Sequence, residues 1–200
     1  MKQAIAVFWM GYSGSGKDTQ AGLLGDFLKA RDGASSVLFI STGDALRALI
    51  KTDSFMGRWV DEHVMKAGAK AQDSLAIWAW QEQLNCAFTG HEHLIFSGSP
   101  RTVLEARVFD DFAKAFGRKS VYPIYLDVGR EEAFRRLKAR GRADDTDETI
   151  GNRLDYFSKA VGPAVEYFKT ESENHLVTID GNSQDPQKIH EDVLRALQLL

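Results

Sequence analysis

The chain has 200 residues, 44% of them apolar, a formal net charge of −3 and one cysteine. That length suits one α/β domain with small inserts, and the slight acidity excludes a chain devoted to coating nucleic acid or a membrane surface. The lone Cys86 excludes an intrachain disulfide and a multi-cysteine zinc cage, and it fits a reduced, cytoplasmic setting.

From the N-terminus, Ala4 to Met10 is an apolar run too short to span a membrane. A glycine-rich loop follows it directly and leaves no room for a secretory cleavage segment, so the run is expected to be a buried strand. Lys17–Arg31 reads as a helix, Ser36–Ile40 as a second strand and Thr42–Lys51 as a helix. Further helical stretches, Gly57–Ala67 and Gln72–Thr89, make the connection to the third strand, Leu94–Ser97, too long for a simple crossover. This connection is expected to form a lobe beside the sheet. Thr102–Phe116, Val121–Asp127 and Glu131–Arg140 continue the helix, strand, helix alternation. Gly141 to Thr149 is charged and poor in apolar residues, and a helix pair follows, Ile150–Val161 and Pro163–Glu171. Leu176–Asp180 and Pro186–Leu199 close the chain as strand and helix. The pattern predicts an α/β fold with a five-stranded parallel sheet between helical layers, and ligands beyond the carboxyl ends of the strands. No repeat or low-complexity tract interrupts it.

Gly11-Tyr12-Ser13-Gly14-Ser15-Gly16-Lys17 leaves a strand and opens a helix, the context a P-loop requires. Glycines let the backbone bend and bring several N–H groups against phosphate oxygens. The helix N-terminus adds positive potential, and Lys17 adds a mobile full charge. Asp18 stands in the usual Ser/Thr slot, followed by Thr19 and Gln20. An acid there suits the helix dipole but would repel phosphate if it faced inward, so it is expected to point outward.

Four segments, in order, resemble the adenylate kinase family of nucleoside monophosphate kinases, short-lid type, over essentially the whole chain. They are GYSGSGKDTQ (Gly11 to Gln20), where the family has GxxGxGKGTQ, and STGDALR (Ser41 to Arg47). SGSPRT (Ser97 to Thr102) and RLKARGRADDTDETIGNRL (Arg136 to Leu154) complete the set. The resemblance implies a single P-loop kinase domain over residues 1–200. Its core would be 1–40, 90–140 and 150–200, with a monophosphate-binding lobe at about 41–89 and a short lid at about 141–149. It implies reversible transfer of the ATP γ-phosphoryl group to AMP or a related nucleoside monophosphate, with Mg²⁺ and without structural zinc. The partners implied are those two nucleotides, with no nucleic acid and no membrane, and the chain would be a monomer.

The same resemblance distributes roles. Lys17, Arg101, Arg136, Arg142 and Arg153 would be catalytic, with Arg140 joining the phosphate clamp. Gly14, Ser15, Gly16, Lys17, Asp18, Thr19, Arg136, Arg140 and Asn182 would bind ATP, Arg136 by stacking on the donor base. Thr42, Arg47, Gly98, Arg101, Glu105, Arg142 and Arg153 would bind the monophosphate. Asp144 and Asp145 match the lid acids that latch the closed lid. Guanidinium forks suit these tasks because they grip phosphate oxygens in bidentate fashion. A run such as Arg130 to Arg142 is otherwise most simply a solvated basic face. The four-residue spacing of Arg136 and Arg140, which puts them on one helix face, favours convergence.

Departures cluster at the third strand. Where the family reads DGFPR this chain reads SGSPR, so Ser97 replaces an acid that holds the Mg²⁺ water shell and Ser99 replaces a phenylalanine. Magnesium, carried by phosphates and water, would then lean on Asp44 and Ser97 as outer partners. Glu105 falls where the family has a base-reading glutamine. A carboxylate only accepts hydrogen bonds, which suits the two adjacent donors of guanine. Alternatively Glu105 turns to solvent and backbone groups around Gly68 to Ala71 read adenine. A catalytically weak nucleotide-binding module and a GMP-preferring kinase are therefore the rival readings. His91 and His93 are expected in a polar turn, and His63, His175 and His190 at the surface or at helix ends. Trp59, Trp78 and Trp80 read as packing residues, with a place along the acceptor pocket as the alternative, and Cys86 as a small apolar helix residue.

Overall fold

Ile5–Met10 (β1) is buried at every position, which requires cover on both faces and a neighbour on each edge. A computed structural model, describing residues 3–67, 69–141 and 145–200, supplies both. The strands are β1, Val37–Ser41 (β2), His93–Ser97 (β3), Ser120–Asp127 (β4) and Val177–Asp180 (β5), in the order β2-β3-β1-β4-β5. All four pairings are parallel, as the alternating pattern predicts.

The two faces of β1 feed separate cores, because successive side chains alternate. Val7 and Trp9 pack with Leu24 and Leu28 of Lys17–Asp32 (α1) and with Val193 of Pro186–Ala196 (α9). The same core takes in Leu137 of Arg130–Arg140 (α6) and Leu154 of Asp147–Tyr156 (α7). Ala6 and Phe8 face the opposite way, against Trp80 of Asp73–Ala87 (α4) and Phe109 of Val103–Ala115 (α5). Trp80 stacks on Phe109 with ring centroids 4.6 Å apart, so it is a core residue and does not line the acceptor side. Gly162–Thr170 (α8) adds Ala164 and Phe168 beside Met10.

Between β2 and β3 the helices Thr42–Ile50 (α2), Phe55–Val60 (α3) and α4 share a small core of Leu46, Val60, Val64, Ala71 and Ala79. Trp59 and Trp78 pack against it. Here the expected single helix 57–67 starts earlier and changes pitch. Ser54 caps α3 by accepting from the Gly57 N–H at 2.9 Å, and Asp61–Lys66 continues as a π-helical turn. The helix expected from Ile150 likewise begins at Asp147, because Thr146 and Thr149 form a reciprocal capping box that polar composition alone hid. It too passes into a π-helical turn, Phe157–Val161, before α8.

Two histidines depart from expectation. His93 is not in a turn. It lies in β3, accepts the Ile5 N–H on Nδ1 at 3.1 Å and meets Asp32 through Nε2 at 3.0 Å, tying β3 to β1 and to the end of α1. His190 is buried on α9 beside Phe27 instead of lying at the surface. Neither partnership is local in sequence.

Candidate functional site

The loop after β1 turns through Gly11 at φ +139°, Gly14 at +82° and Gly16 at +98°. At Gly14 glycine is needed twice over. The φ disfavours an L side chain, and a Cβ would lie 2.8 Å from both the Ala133 carbonyl oxygen and Leu137 Cγ of α6. The loop is thus clamped between β1 and α6. Within it Ser15 is fully buried, and α1 has no side-chain cap, so its first-turn N–H groups remain available for a phosphate.

Lys17 folds over this loop. Its Nζ donates to the carbonyls of Gly11 at 2.9 Å and Tyr12 at 2.6 Å, and lies 3.4 Å from Ser15 Oγ. Burial lowers its pKa to about 8; Asp18 pulls it back up and Arg101 pushes it further down. Asp18 does not simply face outward. Although exposed, its Oδ1 accepts the Ser97 hydroxyl at 2.5 Å, joining the first turn of α1 to the carboxyl end of β3.

Lys17, Gly98, Arg101, Arg153 and Tyr156 line one cavity of about 70 Å³ against Met10. Three cations expected from the sequence therefore converge, although they lie up to 136 positions apart (153 minus 17). Arg101 is braced by donating from Nε to the Gly98 carbonyl at 2.6 Å. Arg153 Nη1 donates to Asp145 Oδ1 at 2.7 Å, and Arg140 grips the same carboxylate through Nε and Nη2 at 3.0 and 2.8 Å. Asp145 is 1% exposed, so one buried carboxylate faces two of the expected phosphate ligands. Arg142, Asp144 and Gly68 lie outside the described residues.

Arg136 goes elsewhere. It lines a second, larger recess of about 300 Å³ with Gly14, Gly16, Thr19, Gln20 and Gln184. Its guanidinium donates to the carbonyls of Ser15, Gly181 and Ser183 at 2.9 to 3.3 Å and to Glu132 at 2.6 Å. Arg135, Gln184 and Arg136 together hold the Glu132 carboxyl well below the usual range. The structure does not bring Arg136 into the cavity of Lys17, Arg101 and Arg153. Asn182 stands at the rim of this side, accepting the Gly129 N–H at 3.2 Å and bonded to Asp180.

Buried Thr42 Oγ1 and Ser99 Oγ are 2.8 Å apart, Ser99 standing between Gly98 and Pro100, which line the small cavity. Glu105 does not turn to solvent. It is 0% exposed, one oxygen accepts the Arg101 N–H at 3.2 Å, and Oε1 is buried without a hydrogen-bond partner among the described residues. Burial raises its pKa, opposed by the Ser99 hydroxyl and by the N–H and charge of Arg101. Arg47 is exposed on α2 and paired with Asp44 at 2.5 Å, which commits Asp44 to its own helix rather than to Ser97.

Among the described residues no group of three or more His, Cys, Asp or Glu side chains stands close enough to cage a metal by itself. The donor set does suit an ion delivered on phosphates, since one carboxylate and one hydroxyl, Asp18 and Ser97, meet beside the loop. Sequence reasoning missed Tyr156 and Gln184. Tyr156 directs a buried hydroxyl, its pKa raised by burial to about 12, at the small cavity, and Gln20 Nε2 ties α1 to the Pro186 carbonyl at 2.9 Å. Nothing local distinguishes Tyr156 and Gln184, which the placing of α7 and of the loop before α9 brings in, whereas Gln20 ends the phosphate-loop motif itself. No helix among the described residues is long and apolar enough to cross a membrane.

Residues 9–173 match the adenylate kinase family. The chain is 30% identical over 176 residues to an adenylate kinase of Prochlorococcus marinus strain MIT 9515, covering 88% of this chain and 91% of that protein. It is 33% identical over 186 residues to adenylate kinase 1 of a Synechocystis species, covering 91% of each. A Leptospira biflexa adenylate kinase is 34% identical over 176 residues, 84% of this chain and 87% of that protein.

Proposed function

We propose a division of labour for a chain that belongs to the adenylate kinase family and is an ATP-dependent nucleoside monophosphate phosphotransferase. The convergence of Lys17, Arg101 and Arg153 on one small cavity at the P-loop carries this reading. The larger recess beside Arg136 takes the donor nucleoside, and the side lined by Thr42, Arg47 and Glu105 takes the acceptor. An acceptor phosphate oxygen attacks the γ-phosphorus as the bond to the β–γ bridging oxygen breaks, leaving ADP and a nucleoside diphosphate. The attacking oxygen is already anionic, so no protein base is needed, and positioning with charge stabilisation supplies the rate.

Lys17 leaves its loop carbonyls for the β and γ phosphates, while Arg101 and Arg153 cover the transferring group from the acceptor side. Asp145 competes with phosphate for Arg140 and Arg153 until the nucleotides arrive. Magnesium, when it arrives on ATP, neutralises phosphoryl oxygens. We take AMP as the preferred acceptor, the protein acting as a cytoplasmic monomer. The relatives' names favour AMP.

A coupled phosphotransfer assay over AMP, GMP, CMP, UMP and dTMP, on the wild type and Glu105→Gln, tests the reading. Turnover is expected with AMP, and the substitution should raise AMP use relative to GMP. An unchanged ratio would show that Glu105 does not read the base. Absence of turnover with every acceptor, in folded protein that binds ATP, would favour the rival reading of a binding module that Ser97 motivates.

A further inference from the structure

In P-loop nucleotide sites the metal is organised by two unlike groups, a Ser/Thr hydroxyl just after the loop lysine and an aspartate at the end of a neighbouring strand. The family pattern quoted above already differs, with a glycine after the lysine and the hydroxyl on the next residue, a threonine that this chain keeps as Thr19. The residue after Lys17 is Asp18, and the residue closing β3, the strand that pairs with β1, is Ser97. The two side chains meet, Ser97 Oγ donating to Asp18 Oδ1 at 2.5 Å across 79 positions of sequence. We infer that the carboxylate has moved from the end of β3 to the first turn of α1, so that Asp18 holds the water shell of the nucleotide's magnesium and Ser97 aims it.

Three observations support this relocation over a solvated helix-end acid. Asp18 does not cap its own helix, which has no side-chain cap, so the N–H groups of the first turn do not account for the position of its carboxylate. A hydroxyl from another strand holds it instead, at the sheet edge where parallel-sheet ligands bind. Lys17 and Gly98, the chain neighbours of Asp18 and Ser97, both line the small phosphate-sized cavity, so the pair lies at its rim. A bare carboxylate so near the phosphates would oppose metal-free nucleotide. The arrangement is favourable only with a cation between them, which gives a specific signature: Asp18 should weaken ATP alone and strengthen Mg·ATP.

The inference rests on the reading that ATP occupies this loop, and the two can fail separately. Isothermal titration calorimetry would measure Kd for ATP in EDTA and for Mg·ATP, with Mn²⁺ paramagnetic resonance reporting the metal's surroundings. The proteins are the wild type, Asp18→Asn, Ser97→Ala, and the double variant Asp18→Gly with Ser97→Asp. In Asp18→Asn the ratio of the two constants should collapse by roughly 10- to 100-fold, the usual effect of removing an outer-shell partner, while ATP alone binds as well or better. Ser97→Ala should move the ratio in the same direction by less, and the double variant should restore it. An unchanged ratio in Asp18→Asn overturns the inference, and a double variant as low as Asp18→Asn overturns the relocation of the carboxylate from β3. If circular dichroism shows Asp18→Asn unfolded, Ser97→Ala decides by the same ratio. A wild type that binds ATP in neither condition refutes the functional reading itself.

Discussion

Lys17 is half-buried and Glu105 fully buried, and burial acts on the two in opposite senses. The ammonium, drawn down to about 8, still carries its charge at neutral pH and is held by carbonyls it can leave. Replacing it with methionine should cut the transfer rate about 100- to 1,000-fold, the range for loss of one preorganised charge-stabilising donor, with little change in unfolding midpoint. Stopped-flow turnover and thermal unfolding check both halves. Glu105 is raised, so the folded state holds its proton more tightly than the unfolded state does. Stability from this group is therefore full below the ordinary carboxylate pKa and lost as pH rises through the folded value. Glu105→Gln, which cannot titrate, should gain stability relative to wild type between pH 4 and pH 8 in denaturant titrations. A gap that stays constant or narrows would show that Glu105 is charged in the fold. Asp18 and Ser97 are each marked in the sequence as departures from the family pattern, but their contact is a tertiary fact.

Elements position these residues by their ends. The loop after β1, the cap of α2 at Ser41 and the cap of α5 at Thr102 all fall at the carboxyl edge of the sheet, where Ser41 of β2 pairs with Ser97 of β3. Gly14 lets α6 lie directly on the loop. Gly14→Ala should destabilise the protein by about 1–3 kcal/mol, the cost of a non-glycine residue at a strained positive φ, and should weaken ATP binding. Paired thermal melts with and without ATP measure both. The start of α7 at Asp147 brings Asp145 under Arg140 and Arg153. Asp145→Asn removes the negative partner of two arginines. Nucleotide-free protein should then unfold at lower temperature and the deficit should shrink when ATP and AMP are present. A deficit that persists unchanged would place Asp145 outside the nucleotide-linked rearrangement.

Across the whole molecule, a donor recess beside Arg136 and a separate acceptor side at Thr42 and Glu105 predict that two nucleotides stabilise the fold jointly. Each ligand at 100-fold its Kd should add about 2.7 kcal/mol, which for a chain of this size raises Tm by roughly 5–11 °C per site. Differential scanning fluorimetry with ATP, AMP and both tests whether the increments accumulate. The sequence by itself determined the five strands, the alternation of strand and helix and the phosphate loop, because these signals are local: an apolar run, a period, a glycine next to a lysine. It also marked most of the cations, since their spacing matches a known order. Only the tertiary structure decided how Asp18 faces Ser97, that Glu105 is sealed against the Arg101 backbone, that Arg136 stands with the larger recess, and that His93 ties two strands to a helix. Most of those facts depend on which strand ends lie side by side, and even for Arg101 and Glu105, four positions apart, only the fold decides that the carboxylate turns inward.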